Sequence, residues 1–203
     1  MTTVEFFFEF ASTYSYPAAA RIGEHAALHG ISIAWRPFLL GPIFKARGWN
    51  DSPFNLHPAK GHYMWRDLER VCAALELPFR RPSVFPRNGL LAARLVCLVQ
   101  DEPWVSDLVR AIYAENFAAD HDISDRIVLG EILETLDRPR ELLDAAQSPA
   151  AKDRLRSQTE RAAALGIFGA PSFVVGSELF WGNDRLEDAL AWAWRENREA
   201  SAG

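Results

Sequence analysis

The sequence predicts an α/β fold in which a βαβ unit at one end of the chain and a ββα unit at the other are separated by a large all-helical insertion. Three observations predict it. Val4 to Phe10 and Ile31 to Phe38 are apolar runs with a helical stretch between them, the spacing of two parallel strands joined by a right-handed crossover. Residues 58–166 carry repeated helix starts and helical apolar spacing but no strand pattern. Ser172 to Val175 and Glu178 to Trp181 flank Gly176-Ser177, a two-residue turn that reads as an antiparallel hairpin, and an amphipathic helix follows.

The first run, with Val4, Phe6, Phe7, Phe8 and Phe10, suits a buried strand better than a surface helix. Pro17 has no N–H to donate, so it belongs in the first turn of a helix that continues through Ala18-Ala19-Ala20-Arg21-Ile22 and ends near His29-Gly30. Leu39-Leu40-Gly41-Pro42 breaks the second strand and leads to a short helical turn or loop over Ile43 to Gly48. Asn50 to His57 has the composition of a loop. Pro58 opens a helix that turns Met64, Leu68, Val71, Cys72 and Leu75 inward and stops before Pro78. Phe79 to Arg87 is proline-rich and reads as an extended loop.

Asn88 caps a helix through Gln100 that buries Leu91, Leu95 and Leu98. The next starts at Glu102-Pro103 with Trp104, Leu108, Ile112 and Phe117 on its buried face. Further helices start at Ser124, Pro139 and Pro149, the last running to Gly166. After the hairpin, Asp184 and Glu187 form a capping box for a final helix with an apolar stripe of Leu186, Leu190, Ala193 and Trp194. This is the order of parts in the thioredoxin fold. Residues 1–44 and 166–203 are expected to form the thioredoxin-like domain, and residues 45–165 the helical insertion.

Composition narrows the function. Of 203 residues, 49% are apolar and 24% charged, the balance of a globular protein with a sizeable core. A net charge of −5 argues against general affinity for nucleic acid or anionic membrane. No apolar run approaches the ~20 residues that span a bilayer. Met1-Thr2-Thr3-Val4-Glu5 lacks the basic start of a signal peptide, so a cytoplasmic location is expected. Cys72 and Cys97 are too far apart for a C-x-x-C motif, and each falls on an apolar helix face, as buried reduced thiols do.

The chemistry is expected where the first strand meets the first helix. Ser12, Thr13 and Ser15 lie at that corner, where unpaired N–H groups and the positive end of the helix dipole favour an anion. A serine there is either an N-cap worth about 1 kcal/mol or a hydroxyl donor to a bound thiolate. In the thioredoxin fold a proline before the third strand is typically cis and faces this corner; Pro171 holds that place, with a trans turn as the alternative.

Five segments give the chain a more specific resemblance: E-F-A-S-T-Y-S-Y (Glu9 to Tyr16), R-P-F-L-L-G-P-I-F-K (Arg36 to Lys45), P-A-K-G-H-Y-M-W-R-D-L (Pro58 to Leu68), F-G-A-P-S-F-V-V (Phe168 to Val175) and F-W-G-N-D-R-L (Phe180 to Leu186). With these the chain resembles the 2-hydroxychromene-2-carboxylate isomerases, relatives of kappa-class glutathione transferases and of DsbA-type oxidoreductases. Thiol oxidoreductases of the fold place C-x-x-C at the corner. This chain has Ser12-Thr13-Tyr14-Ser15 there, so disulfide exchange by that route has no protein thiol.

The resemblance implies that glutathione is the cofactor, that its thiolate is the nucleophile, and that the catalytic serine is Ser12. It implies backbone bonds from Ala170 to the cysteinyl portion of glutathione, and contacts from Trp181, Gly182, Asn183 and Asp184 to the γ-glutamyl end. It places Lys45 on the carboxylate of a small aromatic substrate, with Asn55, Leu56 and Phe85 lining the same site. Tyr14 and Tyr16 are either packing residues or substrate contacts. Thr13, Asn183 and Glu9 depart from the family's usual proline, glutamine and aspartate, which bears on the substrate. A homodimer is implied as well. The alternatives are a kappa-like glutathione transferase or peroxidase acting on another electrophile, and a non-catalytic thioredoxin-fold binding protein.

Overall fold

In the computed structural model, which describes residues 2–202 and the side chains of residues 2–199, a four-stranded sheet runs in the order β2-β1-β3-β4. Met1 and Gly203, both included in the expected domain division, lie outside the described residues. Strand β1 (Thr3–Phe8) pairs in parallel with β2 (Ser32–Pro37), Phe6 standing opposite Trp35. On its other edge β1 pairs antiparallel with β3 (Ser172–Val175), which continues the hairpin into β4 (Glu178–Trp181). The parallel pair is joined by α1 (Ser15–Leu28), and α10 (Leu186–Ala202) follows the hairpin. The α/β thioredoxin-like fold, βαβ followed by helices and then ββα, is as the sequence predicts.

Between the two halves of the sheet lie α2 (Leu40–Ala46), α3 (Pro53–Leu56), α4 (Pro58–Ala74), α5 (Leu90–Val99), α6 (Val105–Ala114), a π-helical turn (Glu115–Ala119), α7 (Arg126–Thr135), α8 (Leu142–Ala145) and α9 (Pro149–Ala164). Phe6, Phe8 and Phe10 project from one face of β1 and Phe7 from the other, as the two-residue period of a strand requires. The first three join a core with Trp35, Tyr113 and Phe117. Phe7 packs with Phe38, Leu40 and Ile43. Phe6 stacks on Phe173 at 5.4 Å, which ties β1 to β3 through their side chains as well as their hydrogen bonds.

Several local expectations need correction. Strand β1 ends at Phe8, two residues early, because the chain turns at Glu9, whose carbonyl accepts the Ser12 N–H at 2.9 Å. Helix α1 starts at Ser15 and holds Pro17 in its first turn, as expected. The stretch Asn50 to His57 contains α3, nucleated by Pro53 and by the Ser52 side chain, which accepts the Phe54 N–H. The cap of α7 is Asp125, while Ser124 Oγ donates to Asp122 at 2.8 Å. The expected capping box does not form: residues Asn183–Arg185 make a 3-10 turn, and Glu187 pairs with Arg21. Trp194 is 40% exposed, and Leu75, the C-cap residue just beyond the end of α4, is 42% exposed.

Candidate active site

The strand-to-helix corner opens into a cavity of about 1540 Å³, well above the usual ~300–1,000 Å³ of a small-molecule site. Its wall combines the corner (Glu9 and Ser12), α2 (Lys45), the loop before α5 (Phe85 and Arg87), and the loops on either side of the hairpin (Ala170 and Trp181). These segments are remote in sequence. The sheet brings their ends to one edge.

Ser12 is half-buried, and its hydroxyl is not a helix cap: it donates to the Ala170 carbonyl at 2.8 Å, while Tyr14 occupies the N-cap of α1 without a side-chain bond. No acidic residue stands in the first turn of α1, so the positive end of the helix dipole meets no side-chain anion there. Thr13 is buried and in the cavity wall, whereas Ser15 is buried behind it. The Ala170–Pro171 peptide is cis, as is Phe85–Pro86. The Pro171 carbonyl accepts the Gly182 N–H at 3.0 Å, which links the loop before β3 to the segment after β4.

On the far side of the corner, Trp181 is 53% exposed and meets Phe168 edge-on at 4.7 Å. The indole lies against the backbone of Gly169 so closely that a Cβ there would strike it. Gly182 has φ of 117°, a conformation strained for any other residue. Asn183 is held by Arg21 of α1, which donates to its carbonyl at 2.7 Å and to its side-chain oxygen at 3.0 Å. Asp184 is exposed and pairs with Arg185 at 3.1 Å.

Of the residues singled out from the sequence, Ser12, Lys45, Phe85, Ala170, Trp181, Gly182, Asn183 and Asp184 all lie in the cavity wall. Asn55 and Leu56 do not: their helix supplies Pro53 and Phe54 to the wall, while Asn55 turns outward to Asp51 and Leu56 is 44% exposed. Tyr14 lines the cavity and donates to Asp67 at 2.9 Å, and burial, reinforced by Asp67, pushes its hydroxyl pKa up. Tyr16 is buried and stacks on Phe117, a packing residue.

Sequence reasoning missed Arg21, Arg47, Arg87 and the acid of Glu9. Arg47 lies over the Phe168 ring, 5.7 Å from its centre. Arg87 is buried and makes bonds to Asn116, Ser83 and Asp120. Glu9 lines the cavity, and burial pushes its carboxyl up to about 7, the backbone N–H of Leu40 drawing it only partly back. An arginine within the apolar N-terminal half of α1 was the one available signal for Arg21. For the rest, only the packing of distant segments reveals the role.

The electrostatic balance of the wall is informative. Asp67, Asp184 and Arg87 are committed to ion pairs. Lys45 and Lys60 are exposed and make no ion pair among the described residues. Arg47 is likewise without an ion pair among the described residues, and against these cations stands one such carboxylate, Asp51, which accepts from Ser52 and Asn55; the free charge is mainly cationic and suits anionic ligands.

The corner, the cis proline loop facing it and the helices between the strands coincide with a known family description, that of the DsbA-like thioredoxin domain, which matches residues 3–191. This chain belongs to the DsbA-like thioredoxin family. Among relatives of this DsbA-like protein, the 2-hydroxychromene-2-carboxylate isomerase of Sphingobium xenophagum is 32% identical over 187 residues, 91% of this chain and 94% of the relative. Human glutathione S-transferase kappa 1 is 26% identical over 200 residues, covering 91% and 88%. A solved structure of 2-hydroxychromene-2-carboxylate isomerase superposes on the DsbA-like chain with a TM-score of 0.86 at 25% identity, over 98% of both chains. Among the described residues no helix is long and apolar enough to cross a membrane, and no cluster of His, Cys, Asp or Glu is arranged for a metal.

Proposed function

We propose that the protein is a glutathione-dependent isomerase that interconverts 2-hydroxychromene-2-carboxylate and trans-o-hydroxybenzylidenepyruvate, or a close aromatic analogue. The observation that carries this reading is the hydroxyl of Ser12, set in the cavity at the start of α1 where a disulfide enzyme needs a cysteine. Both cysteines of the chain are buried, free and pushed up to about 12 by burial, so neither serves as a nucleophile. Relatives of this chain carry isomerase and glutathione-transferase names, in keeping with this chemistry.

The wall fits glutathione on its own terms. A cavity of about 1540 Å³ has room for a tripeptide and an aromatic acid together, and the donor set matches both. Bound glutathione supplies a thiolate nucleophile. Ser12 rotates its O–H from Ala170 toward the sulfur, and the first turn of α1 adds its dipole, both favouring the anion over the thiol. Ala170, beside the cis proline, offers its backbone to the peptide. Trp181, Gly182, Asn183 and Asp184 hold the γ-glutamyl end, with Asp184 exchanging its exposed Arg185 partner for the ammonium.

Lys45 takes the substrate carboxylate and Phe85 forms an aromatic wall beside it. Asn55 and Leu56 stay at the rim of this site. A ring system that sits between Phe85 and the corner has an apolar face to pack on. The protein is proposed to work in the cytoplasm as a homodimer.

The test is an absorbance assay of purified protein with 2-hydroxychromene-2-carboxylate, with and without glutathione, alongside titration of free thiol. Because the protein's own thiols are buried, the titration reads glutathione. Equilibration that requires glutathione and leaves the thiol count unchanged supports the isomerase. Consumption of thiol points to a transferase, and no glutathione binding by calorimetry overturns the assignment.

A further inference from the structure

Glu9 combines features that the binding roles above leave unused. It occupies the turn between β1 and Ser12, and its carbonyl accepts two bonds, from the Ser12 N–H at 2.9 Å and from the Tyr113 hydroxyl at 2.8 Å. Its position is therefore fixed from both sides. Its carboxyl meets the backbone N–H of Leu40 at the start of α2, and the residue lines the cavity beside Ser12. Glu9 is partly buried, so it is not closed off from its surroundings.

The groups around Glu9 give it no cation. From α2 it meets the backbone N–H of Leu40. From α6 it meets Tyr113, whose hydroxyl is pushed well up by burial and is committed to the Glu9 carbonyl. From α9, Thr159 is occupied with the Leu39 N–H, and Arg161 is held by Glu5 through two bonds at 2.9 and 2.6 Å. In the shared wall Arg87 is engaged by Asp120, and Lys45 makes no ion pair with Glu9. A carboxyl so placed keeps its proton near neutral pH, because burial without a counter-charge penalises the anion.

We propose that Glu9 is the acid–base group of the cavity, donating its carboxyl proton to the oxo oxygen of a bound aromatic 2-oxo acid and recovering it before release. This rests on the isomerase reading. The proton passes from the Glu9 Oε to the substrate oxygen as that oxygen gains electron density, which leaves a carboxylate. The reverse transfer restores both groups. Nothing is oxidised, reduced or consumed, as an isomerisation requires. General acid–base help of this kind typically contributes ~10²–10⁴-fold.

The direct test is infrared difference spectroscopy of ligand-free wild type against Glu9→Gln, which keeps the shape and the acceptor for Leu40. A protonated-carboxyl band present about one pH unit below 7, lost about one unit above it and absent from the variant is expected. In the assay, Glu9→Gln should bind glutathione as wild type does yet turn over about 10²-fold more slowly, and wild-type turnover should show a solvent deuterium isotope effect. If Glu9→Gln fails to fold, the wild-type band and isotope effect decide, with Glu9→Asp expected to retain turnover. Variant turnover within about threefold of an active wild type, or no titrating band, overturns the role of Glu9 alone. A wild type that binds glutathione but never equilibrates the substrate overturns the isomerase reading itself.

Discussion

The hydroxyl of Ser12 donates a 2.8 Å hydrogen bond to the backbone carbonyl of Ala170, 158 residues away in sequence. The bond joins the strand-to-helix corner to the loop before β3, and it leaves α1 without a side-chain cap from Ser12.

Ser12→Ala removes one neutral hydrogen bond from a half-buried position and should lower stability by about 1 kcal/mol. Turnover with glutathione should fall about 10²-fold or more, since a donor to the developing or resting anion is lost. Thermal melts and steady-state rates on the same preparation check both. The bound-thiol absorbance in the ultraviolet should titrate at higher pH in the variant. An unchanged titration would assign Ser12 to structure only.

Lys45→Met keeps the length of the side chain and removes its charge. Loss of one charged contact to a substrate carboxylate should raise KM for the aromatic acid about tenfold. Glutathione binding by calorimetry should stay unchanged, because Lys45 is assigned to the other ligand. A matched loss in both affinities would move Lys45 to the glutathione side of the cavity.

Arg21→Met cuts the two bonds that hold Asn183 and the pair with Glu187. The expected outcome is a rise of about tenfold in KM for glutathione with kcat little changed, and partial recovery in Arg21→Lys. A fall in kcat at constant KM would mean that Arg21 acts on the reacting atoms.

Glu9 also sets a pH dependence of folding. Its carboxyl lies at about 7 when folded, against an ordinary 4.5, so the native state keeps a proton that the unfolded chain gives up. Stability from this group is fully present below about pH 4.5 and declines as pH rises toward 7, by about 3 kcal/mol in all. Denaturant melts from pH 5 to 8 should show wild type losing stability relative to Glu9→Gln across that window. Parallel curves for the two proteins would place the proton elsewhere.

Much of this architecture was legible in the sequence because its signals are local. The Phe6-Phe7-Phe8 run, Pro17 in a first turn, the Gly176-Ser177 hairpin and the family segments each declare themselves within a few residues. The cavity wall was legible through motifs at Ser12, Lys45, Ala170 and Trp181 to Asp184. Helix ends were less so: Ser124 and Asp125 are both good caps, and only the three-dimensional path selects Asp125. The Asp184–Glu187 box failed because a distant cation, Arg21, draws Glu187 away. The acidity of Glu9 could not be read at all, since it follows from which groups α2, α6 and α9 bring near it.

Arg87 reaches Asn116 and Asp120, and the Asn116 side chain in turn donates to the Phe10 carbonyl at 2.9 Å. The segment after β1, the proline loop and the π-helical turn after α6 are thus joined through Asn116 and the buried guanidinium of Arg87 in the cavity wall. No fragment of the chain that stops short of Asp120 can assemble that junction, and the far wall waits for Trp181 and Asp184 near the other end. The complete wall therefore needs residues from Glu9 through Asp184 at once, so it exists only where both ends of the chain are in place. A ligand that touches both ends of that wall would be a reporter of the native state and would raise its stability by mass action.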